Sequence, residues 1–471
     1  MTARRSTTVH KVLALACLTL LGAAAASART SEASAKRERK PNILIFITDD
    51  QRLTGTLEVL PKTLSWFRDG GTSYSSAVTT TPTCCPARSS IFTGRYAHNH
   101  GVHTTAPSEA DHLDQDTTLQ RYLHRAGYKT ALFGKYLNGW RLDVKPPSFD
   151  TWALFETGPK ASYYGGPWSI DGDIRNLNRY STDFIADQTR AFLKTSEQKD
   201  GQPWLLYVTP LAPHPPFSPA PKYAYADYPD FVPNPAMREV GVDLSDKPPY
   251  VRNRRPANPS QQATNYAAQV RTLMSVDDLV NSTMRTLEDL GEADNTLAIF
   301  ISDNGYLLGE HGLVAKTHPY SPSIRVPLFV RWPGHVTAGA VDDRLVANID
   351  LAPTIFEAVG IEAKHVIDGR SLFDTTYARD RILTENWHRG KHSAPNWTGL
   401  WGGSWQYVEH YNSDRTATEF TEYYDLVADP FQLDNLFGDA DGTNDPDALP
   451  LAEQLARDAS CKGTSGPRAC P

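Results

Sequence analysis

Polar side chains lie at or shortly after the ends of four apolar segments that are far apart in the chain. They are Asp49 and Asp50, Lys135, His214, and Asp303 and Asn304. Carboxylate and amide oxygens can hold a hard divalent cation such as calcium or magnesium, whereas lysine and histidine can bind an anion or move a proton. A single aspartate at the end of a strand is more often a turn residue. It is the combination that indicates a site for a cation and an anionic substrate.

A second group of reactive side chains lies in the segment Cys84-Cys85-Pro86-Ala87-Arg88. Pro86 favours the first turn of a helix and therefore predicts that Cys84 lies at a helix N-terminus. Free backbone amides and the positive end of the helix dipole favour an anion at such a position. Because Arg88 adds positive charge, the surroundings favour a reactive cysteine over a structural thiol.

The elements that must position these side chains alternate between strands and helices. Four apolar runs, typical of strands buried on both faces, are Asn42–Thr48, Tyr128–Phe133, Trp204–Thr209 and Leu297–Ser302, and two of the helix-like stretches between them are Thr182–Leu193 and Ala267–Leu290. This alternation predicts an α/β fold with a large, mostly parallel sheet sandwiched by helices. Because the carboxyl ends of parallel strands meet at one edge, we expect the polar side chains to share that edge.

The chain changes character towards its C-terminus. From about Asp380 it consists of short segments rich in Trp, Tyr and Thr, which predicts a smaller C-terminal antiparallel α+β subdomain. We place the main domain at residues 41–370 and this subdomain at residues 371–471. No internal repeat is visible.

The first 28 residues have the features of a cleaved export signal: basic residues, an apolar run from about Val12, and the small-residue motif Ala26-Ser27-Ala28. The apolar run is shorter than the roughly 20 residues of a membrane span. We therefore expect a protein secreted to the extracellular space or periplasm, with a solvated leader at residues 29–40 and no membrane association after cleavage. Export permits disulfides, and Cys461 and Cys470 are predicted to form one that closes a short loop.

Composition excludes other classes of protein. The 471 residues are 40% hydrophobic, which is enough for a large core. The net charge of -7 offers no general attraction to a phosphate backbone. Nucleic-acid binding is therefore not expected, and the oligomeric state cannot be predicted.

The motif Cys84-x-Pro86-x-Arg88 followed by Thr93-Gly94-Arg95 resembles the signature of the type I sulfatases of the alkaline phosphatase superfamily. In that family the cysteine is oxidised to formylglycine, and the register of proline and arginine selects Cys84 rather than Cys85. Further resemblances follow in order along the chain: Asp49-Asp50-Gln51, Gly134-Lys135-Tyr136-Leu137-Asn138, Pro213-His214-Pro215, Ser302-Asp303-Asn304-Gly305, Gly309-Glu310-His311-Gly312 to Lys316, Ile324-Arg325-Val326-Pro327, Asp350-Leu351-Ala352-Pro353-Thr354 and Asp368-Gly369-Arg370-Ser371. The Gly-Lys-Tyr-Leu-Asn motif, the region Tyr424–Pro430 and the terminal cysteine pair look most like the N-acetylglucosamine-6-sulfatase branch.

The resemblance implies a role for each residue of the motifs. A formylglycine at position 84, hydrated to a gem-diol, would attack sulfur and then release sulfate by regenerating its aldehyde. The implied metal ligands are Asp49, Asp50, position 84, Asp303 and Asn304, with calcium favoured and magnesium possible. Arg88 would steady the diol, Lys135 and Lys316 would contact sulfate oxygens, and His214 would act near the leaving oxygen as a hydrogen-bond donor or general acid. The implied partners are a small sulfated substrate and a formylglycine-generating enzyme.

Two departures from the family pattern leave questions open. Many sulfatases have a histidine two or three residues after the first lysine, where this chain has Leu137 and Asn138, so the base that deprotonates the diol is not identified. Ala87 replaces the usual serine. The substrate is a sulfated sugar or an aryl sulfate, and two alternative functions are a phosphonate or phosphate ester hydrolase and a non-catalytic secreted carbohydrate-binding protein.

Overall fold

The computed structural model describes residues 39–158, 161–198, 201–239, 242–390 and 394–471. The predicted signal peptide at residues 1–28 and most of the predicted leader at residues 29–40 lie outside the described residues. No helix in the described ranges combines the length and the apolar composition needed to cross a membrane.

Sixteen strands and ten α-helices make up the regular structure of the described residues. The strands are β1 Asn42–Thr48, β2 Thr72–Val78, β3 Lys129–Gly134, β4 Thr151–Phe155, β5 Pro167–Ile170, β6 Asp173–Asn176, β7 Trp204–Thr209, β8 Thr296–Ser302, β9 Leu307–Leu308, β10 Val314–Ala315, β11 Leu328–Arg331, β12 Ala340–Ala347, β13 Ile382–Asn386, β14 Asn396–Trp401, β15 Trp405–Tyr411 and β16 Thr418–Asp425. The helices are α1 Pro61–Leu64, α2 Cys84–Thr93, α3 Ala97–His100, α4 Leu119–Arg125, α5 Ser181–Glu197, α6 Pro249–Arg252, α7 Pro259–Asp289, α8 Ser321–Ile324, α9 Leu351–Val359 and α10 Ala448–Asp458.

Ten strands form one sheet in the order β12-β2-β11-β8-β1-β7-β3-β4-β5-β6. Strands β8, β1, β7, β3 and β4 at its centre are parallel to one another. Strand β11 is antiparallel to both of its neighbours, and β5 and β6 extend the opposite edge in antiparallel pairs. The predicted α/β fold with a mostly parallel sheet is confirmed.

Helices cover both faces of this sheet. Leu44 and Phe46 of β1 pack into the hydrophobic cluster that contains α5 and α7. Ile43, Ile45 and Ile47 point to the other face and pack into the cluster that contains α2, α4 and α9. Every residue of β1 is buried because neither face meets solvent, which explains the uninterrupted apolar run in the sequence.

The smaller C-terminal sheet is antiparallel, as predicted. Strands β13 to β16 pair in sequence order, and helix α10 follows them. Ile382 and Trp397 of this sheet share a hydrophobic cluster with Val78 and Ile324 of the larger part. Residues Pro41–Pro471 form one compact unit, and the boundary at residue 370 stays a prediction.

The predicted disulfide between Cys461 and Cys470 is confirmed. We expect replacement of both cysteines by serine to lower the free energy of unfolding by about 2–3 kcal/mol, because the bridge restricts a short loop of the unfolded chain. Urea unfolding of the wild-type and the double variant measures this difference. Treatment with a reductant should shift the wild-type midpoint towards that of the variant and leave the variant unchanged. An unchanged midpoint in both experiments would contradict the prediction.

Candidate active site

Four neighbouring strands carry the predicted polar side chains to one edge of the sheet. In spatial order the strands are β8, β1, β7 and β3. The side chains that follow them are, in the same order, Asp303 and Asn304, Asp49 and Asp50, His214, and Lys135. The sheet therefore assembles residues that are separated by up to about 250 positions, as in the hydrogen bond between Asn304 and Asp50 with its separation of 254.

The turn after β3 depends on Gly134. Its φ is +121°, and a Cβ atom there would lie 1.9 Å from the carbonyl oxygen of Thr209. The backbone of β3 approaches β7 so closely that the amide of Lys135 donates to this same oxygen at 2.8 Å. Glycine is required here because no side chain fits and because L-residues avoid this backbone conformation.

The change Gly134→Ala is therefore expected to lower the free energy of unfolding by about 2–4 kcal/mol, since the clash is added to the backbone strain. Gly127→Ala is the matched control, because Gly127 also has a positive φ (+89°) but has no atom within 4 Å of its ideal Cβ position. Urea unfolding of both variants separates clash from strain. Equal losses of stability would contradict the role of the close approach.

Helix α2 presents Cys84 to this edge of the sheet. The helix begins at Cys84, as predicted, and Thr83 is its N-cap. The Cys84 side chain is buried, and its Sγ lies 3.3 Å from Oδ1 of Asp49 and 3.7 Å from Oδ1 of Asp50. Nζ of Lys316 lies 2.6 Å from the same sulfur. The predicted nucleophile position is thus surrounded by the predicted metal ligands and one predicted sulfate ligand.

Each of the three aspartates forms an ion pair with one buried or nearly buried cation. The pairs are Lys135 Nζ with Asp49 Oδ2 at 2.6 Å, Arg88 Nε with Asp303 Oδ2 at 2.8 Å, and Lys316 Nζ with Asp50 Oδ1. Arg88 and Asp303 are completely inaccessible to solvent. The three positive charges therefore balance the three carboxylates in a region from which water is excluded.

The surroundings shift the pKa values of these groups. Burial alone would raise the pKa of Asp49 and of Asp50, but the neighbouring cations, led by Lys135 and Lys316 respectively, outweigh it and leave both pKa values below the ordinary value. Burial and the nearby carboxylates raise the pKa of the Cys84 thiol well above its usual range. The aspartates are therefore ionised at neutral pH, whereas the unmodified thiol is protonated and a poor nucleophile.

The donor set fits a hard divalent cation. One ligand atom each from Asp49, Asp50, Cys84 and Asp303 lies within 4.8 Å of the others. Asn304 donates from Nδ2 to Oδ1 of Asp50 at 2.7 Å, and its own buried Oδ1 has no hydrogen-bond partner among the described residues. A buried amide oxygen without a partner beside three carboxylates is the arrangement that calcium or magnesium would satisfy.

His214 is held in one orientation. Its Nδ1 lies 2.6 Å from the carbonyl oxygen of Pro215. Since a carbonyl only accepts, Nδ1 carries the hydrogen and Nε2 is the free ring nitrogen. Nε2 lies 3.7 Å from Oδ2 of Asp50. The hydroxyl of Tyr163 donates to the carbonyl oxygen of His214 at 2.8 Å, a contact that the sequence analysis missed because no motif or spacing links two residues 51 positions apart.

The structure thus brings together all nine predicted site residues. They are Asp49, Asp50, Cys84, Arg88, Lys135, His214, Asp303, Asn304 and Lys316. Their predicted roles are not tested by this geometry. In this structure Lys135 contacts the carboxylate of Asp49, and Lys316 contacts the carboxylate of Asp50 and the sulfur of Cys84. Leu137, where many sulfatases have a histidine, packs into the hydrophobic core and has no access to the site.

Comparison with known proteins adds an independent line of evidence. The sequence profile of the Sulfatase family matches residues 41–361, and the profile called N-sulphoglucosamine sulphohydrolase, C-terminal, matches residues 309–457. An extracellular sulfatase SULF-1 homolog of Drosophila melanogaster is 37% identical over 380 residues, which cover 76% of this chain and 33% of that protein. The chain thus spans about a third of the length of the fly protein.

Two further proteins are similar over most of their length. The N-acetylglucosamine-6-sulfatase of Homo sapiens is 31% identical over 483 residues, covering 90% of this chain and 85% of the human protein. A protein whose structure was solved in complex with its substrate D-glucosamine-2-N,6-O-disulfate superimposes with a TM-score of 0.73 at 23% identity, covering 89% of this chain and 97% of that one. At that identity the structural likeness shows a shared fold.

Proposed function

Because the chain belongs to the sulfatase family, we propose that it hydrolyses sulfate monoesters with a formylglycine made from Cys84. The observation that supports this proposal best is the position of Cys84 itself. Its sulfur lies among carboxylates that can hold a cation and beside Lys316, and Arg88 and Lys135 occupy the same buried edge. An anionic ester needs such positive charge to reach a nucleophile and to stabilise the transition state.

Two groups that this chain would acquire supply part of the chemistry. Oxidation of Cys84 to formylglycine would supply a hydrated aldehyde, whose one hydroxyl can attack sulfur and whose other can release sulfate. A calcium or magnesium ion held by Asp49, Asp50, Asp303 and Asn304 would supply a concentrated positive charge next to it. The residues of the chain do the remaining work.

The chain's own side chains bind the sulfate and handle the proton. In this proposal Lys135 and Lys316 bind sulfate oxygens, because their ammonium groups flank position 84 at the buried edge. Arg88 stays paired with Asp303 and has one buried nitrogen, Nη2, without a partner among the described residues, which can donate to the hydroxyl at position 84. His214, protonated on both ring nitrogens, donates the Nε2 proton to the leaving oxygen, because its Nδ1 hydrogen is engaged by the carbonyl oxygen of Pro215.

The test compares nitrophenyl sulfate with nitrophenyl phosphate. We expect faster turnover of the sulfate by protein produced together with a formylglycine-generating enzyme, and mass spectrometry of the Cys84 peptide should show loss of the sulfur. A preference for the phosphate of more than about a hundredfold would favour a phosphate or phosphonate ester hydrolase. If fully converted protein turned over neither of the two esters nor any sulfated sugar, the result would favour a function as a carbohydrate-binding protein.

Removal of the cation is a second test. Because an ion that binds only the folded site stabilises the folded state and supplies part of the chemistry, we expect a chelator to abolish turnover and to lower the melting temperature. Adding calcium or magnesium back separately identifies the ion by the concentration that restores half of the activity. Full activity after exhaustive chelation would contradict a metal-assisted mechanism.

The substrate is proposed to be a sulfated sugar. The human relative bears the name N-acetylglucosamine-6-sulfatase, and the solved structure holds a glucosamine disulfate. A panel of N-acetylglucosamine 6-sulfate, other monosulfated sugars and aryl sulfates would rank the substrates by kcat/KM. An aryl sulfate preferred over every sugar would contradict this part of the proposal.

Export is proposed from the predicted signal at residues 1–28 and from a relative described as extracellular. Cleavage after Ala28 would give a mature chain that starts in the predicted leader. Sequencing the N-terminus of the secreted protein tests the cleavage site, and fractionation of cells distinguishes the periplasm from the medium.

A further inference from the structure

The connection between β13 and β14, of which residues 387–390 and 394–395 are described, contacts catalytic segments at both of its ends. At its start Thr83, the residue before the cysteine, donates from Oγ1 to Oδ1 of Asn386 at 3.4 Å. At its end the amide of Ala394 donates at 3.0 Å to Oγ1 of Thr317, the residue after the active-site lysine. The C-terminal sheet therefore contacts the segments that carry the predicted nucleophile and one predicted sulfate ligand.

Arg415 contacts the start of this connection and is held by neutral groups. Its Nη1 donates to the carbonyl oxygen of Asn386 at 2.8 Å, and its Nη2 donates to Oγ1 of Thr398 at 2.6 Å. The guanidinium lies over the rings of Trp387 and Tyr411, at 4.9 and 5.1 Å from their centroids. These contacts fix the orientation of the guanidinium and leave its remaining N–H groups for another acceptor.

Arg415 forms no direct ion pair with a carboxylate of the described residues, and Glu385 is the carboxylate that acts on its charge most strongly. The nearby Glu385 is engaged by His98, whose Nδ1 lies 3.0 Å from Oε2. The adjacent Asp414 accepts from Oγ1 of Thr416 at 2.6 Å. Burial lowers the pKa of Arg415 by more than Glu385 raises it. A partly buried charge without a direct ion pair costs free energy, which an anionic ligand would offset.

We propose that Arg415 binds a second anionic group of the substrate and thereby determines which sulfate esters are cleaved. The proposal rests on the function proposed above. Arg415 reaches the catalytic segment through Asn386 and Thr83, so the second anion would lie on the same sugar or on the neighbouring one. Carboxylates and sulfates both accept paired N–H groups from a guanidinium. Trp387 is stacked on His103 with 4.2 Å between ring centroids, and this contact restricts the position of the Trp387 ring beside the guanidinium.

The experiment uses four probes. Two carry a single anion, N-acetylglucosamine 6-sulfate and nitrophenyl sulfate. Two carry a second one, N-sulfoglucosamine 6-sulfate and a disaccharide of a uronic acid and N-acetylglucosamine 6-sulfate. For Arg415→Gln we expect kcat/KM to fall by about 10- to 100-fold with at least one two-anion probe and by less than about twofold with the single-anion probes. The probe that suffers the loss identifies the second anion as a sulfate or a carboxylate.

Two further variants separate charge recognition from structural support. Arg415→Lys keeps the charge and most of the stem, so it should retain part of the preference for two anions and remain folded if Arg415→Gln does not. Arg285→Gln removes an exposed arginine from helix α7 and is expected to leave kcat/KM unchanged with all four probes. Equal losses of Arg415→Gln on all four probes, or a wild-type protein that does not prefer a second anion, would overturn the proposal.

Failure of the proposed function has a different signature. If the wild-type protein cleaves no sulfate ester, that function is wrong. The role of Arg415 is then tested by calorimetry with the full chain. The proposal would still be supported if the wild-type protein bound N-sulfoglucosamine 6-sulfate or the uronic acid disaccharide more tightly than N-acetylglucosamine 6-sulfate. Arg415→Gln should then lose this difference in affinity. Equal affinities would overturn it.

Discussion

Replacement of Cys84 by alanine is expected to lower kcat for nitrophenyl sulfate by at least about a thousandfold, because it removes the group that forms the bond to sulfur. The variant should keep its fold, since the thiol makes only long contacts of 3.3 and 3.7 Å with two aspartates, and Lys316, which also contacts the sulfur, keeps its ion pair with Asp50. Its affinity for a sulfated sugar should change little, because Lys135 and Lys316 remain. A stopped assay for kcat together with calorimetry for binding separates the two effects.

The neighbouring thiol is the matched control for this prediction. Cys85 is also buried, but its side chain packs into the hydrophobic cluster with Ile91 and Leu137. Burial raises the pKa of Cys85 to about 12, so its thiol is protonated and unreactive. Cys85→Ala should therefore cost stability and leave kcat largely intact. Loss of catalysis in Cys85→Ala with retention in Cys84→Ala would show that the register of the motif was assigned to the wrong cysteine.

Sequence patterns predicted the centre of the fold well because its strands are buried on both faces. The run Trp204–Thr209 coincides with β7, and the run Leu297–Ser302 differs from β8 by one residue. Such strands can be predicted from apolar residues alone, and the positions of their carboxyl ends determine which polar side chains lie at the edge of the sheet that carries the candidate site. The polar residues that share this edge could therefore be named before the three-dimensional arrangement was known.

The outer strands could not be predicted in this way. Strand β6, Asp173–Asn176, is exposed along its whole length, and β12, Ala340–Ala347, alternates between exposed and partly buried positions. Neither has an uninterrupted apolar run, because an edge strand meets solvent. Pairing with a neighbour, rather than local sequence, determines these strands.

Residues that are positioned by tertiary contacts also could not be predicted from the sequence. Tyr163 and Arg415 belong to no motif, and Tyr163 contacts His214 and Arg415 contacts Asn386 only because distant elements pack together. The C-terminal sheet was predicted from its aromatic composition. Its contact with Thr83 and Thr317 depends on how the two sheets pack, which composition does not encode.

The change Asp303→Asn is expected to affect both stability and catalysis. Asp303 is the carboxylate partner of Arg88, and both side chains are fully buried. Loss of its charge leaves the guanidinium without a counter-ion, which costs about 3–5 kcal/mol of the free energy of unfolding. The variant also loses one proposed metal ligand, so turnover should fall by at least about a hundredfold. Asp294→Asn, at an exposed carboxylate, is the control for both measurements.

A double variant shows whether the two effects have separate causes. In Asp303→Asn/Arg88→Met the unpaired charge is gone, so the free energy of unfolding should return to within about 1–2 kcal/mol of the wild-type value. Turnover should remain as low as in Asp303→Asn, because the lost ligand and the lost positive charge are not restored. Urea unfolding and nitrophenyl sulfate assays on all four proteins complete the cycle. If stability and turnover recovered together, the low turnover of Asp303→Asn would result from the unpaired charge of Arg88, and neither side chain would be needed for the reaction.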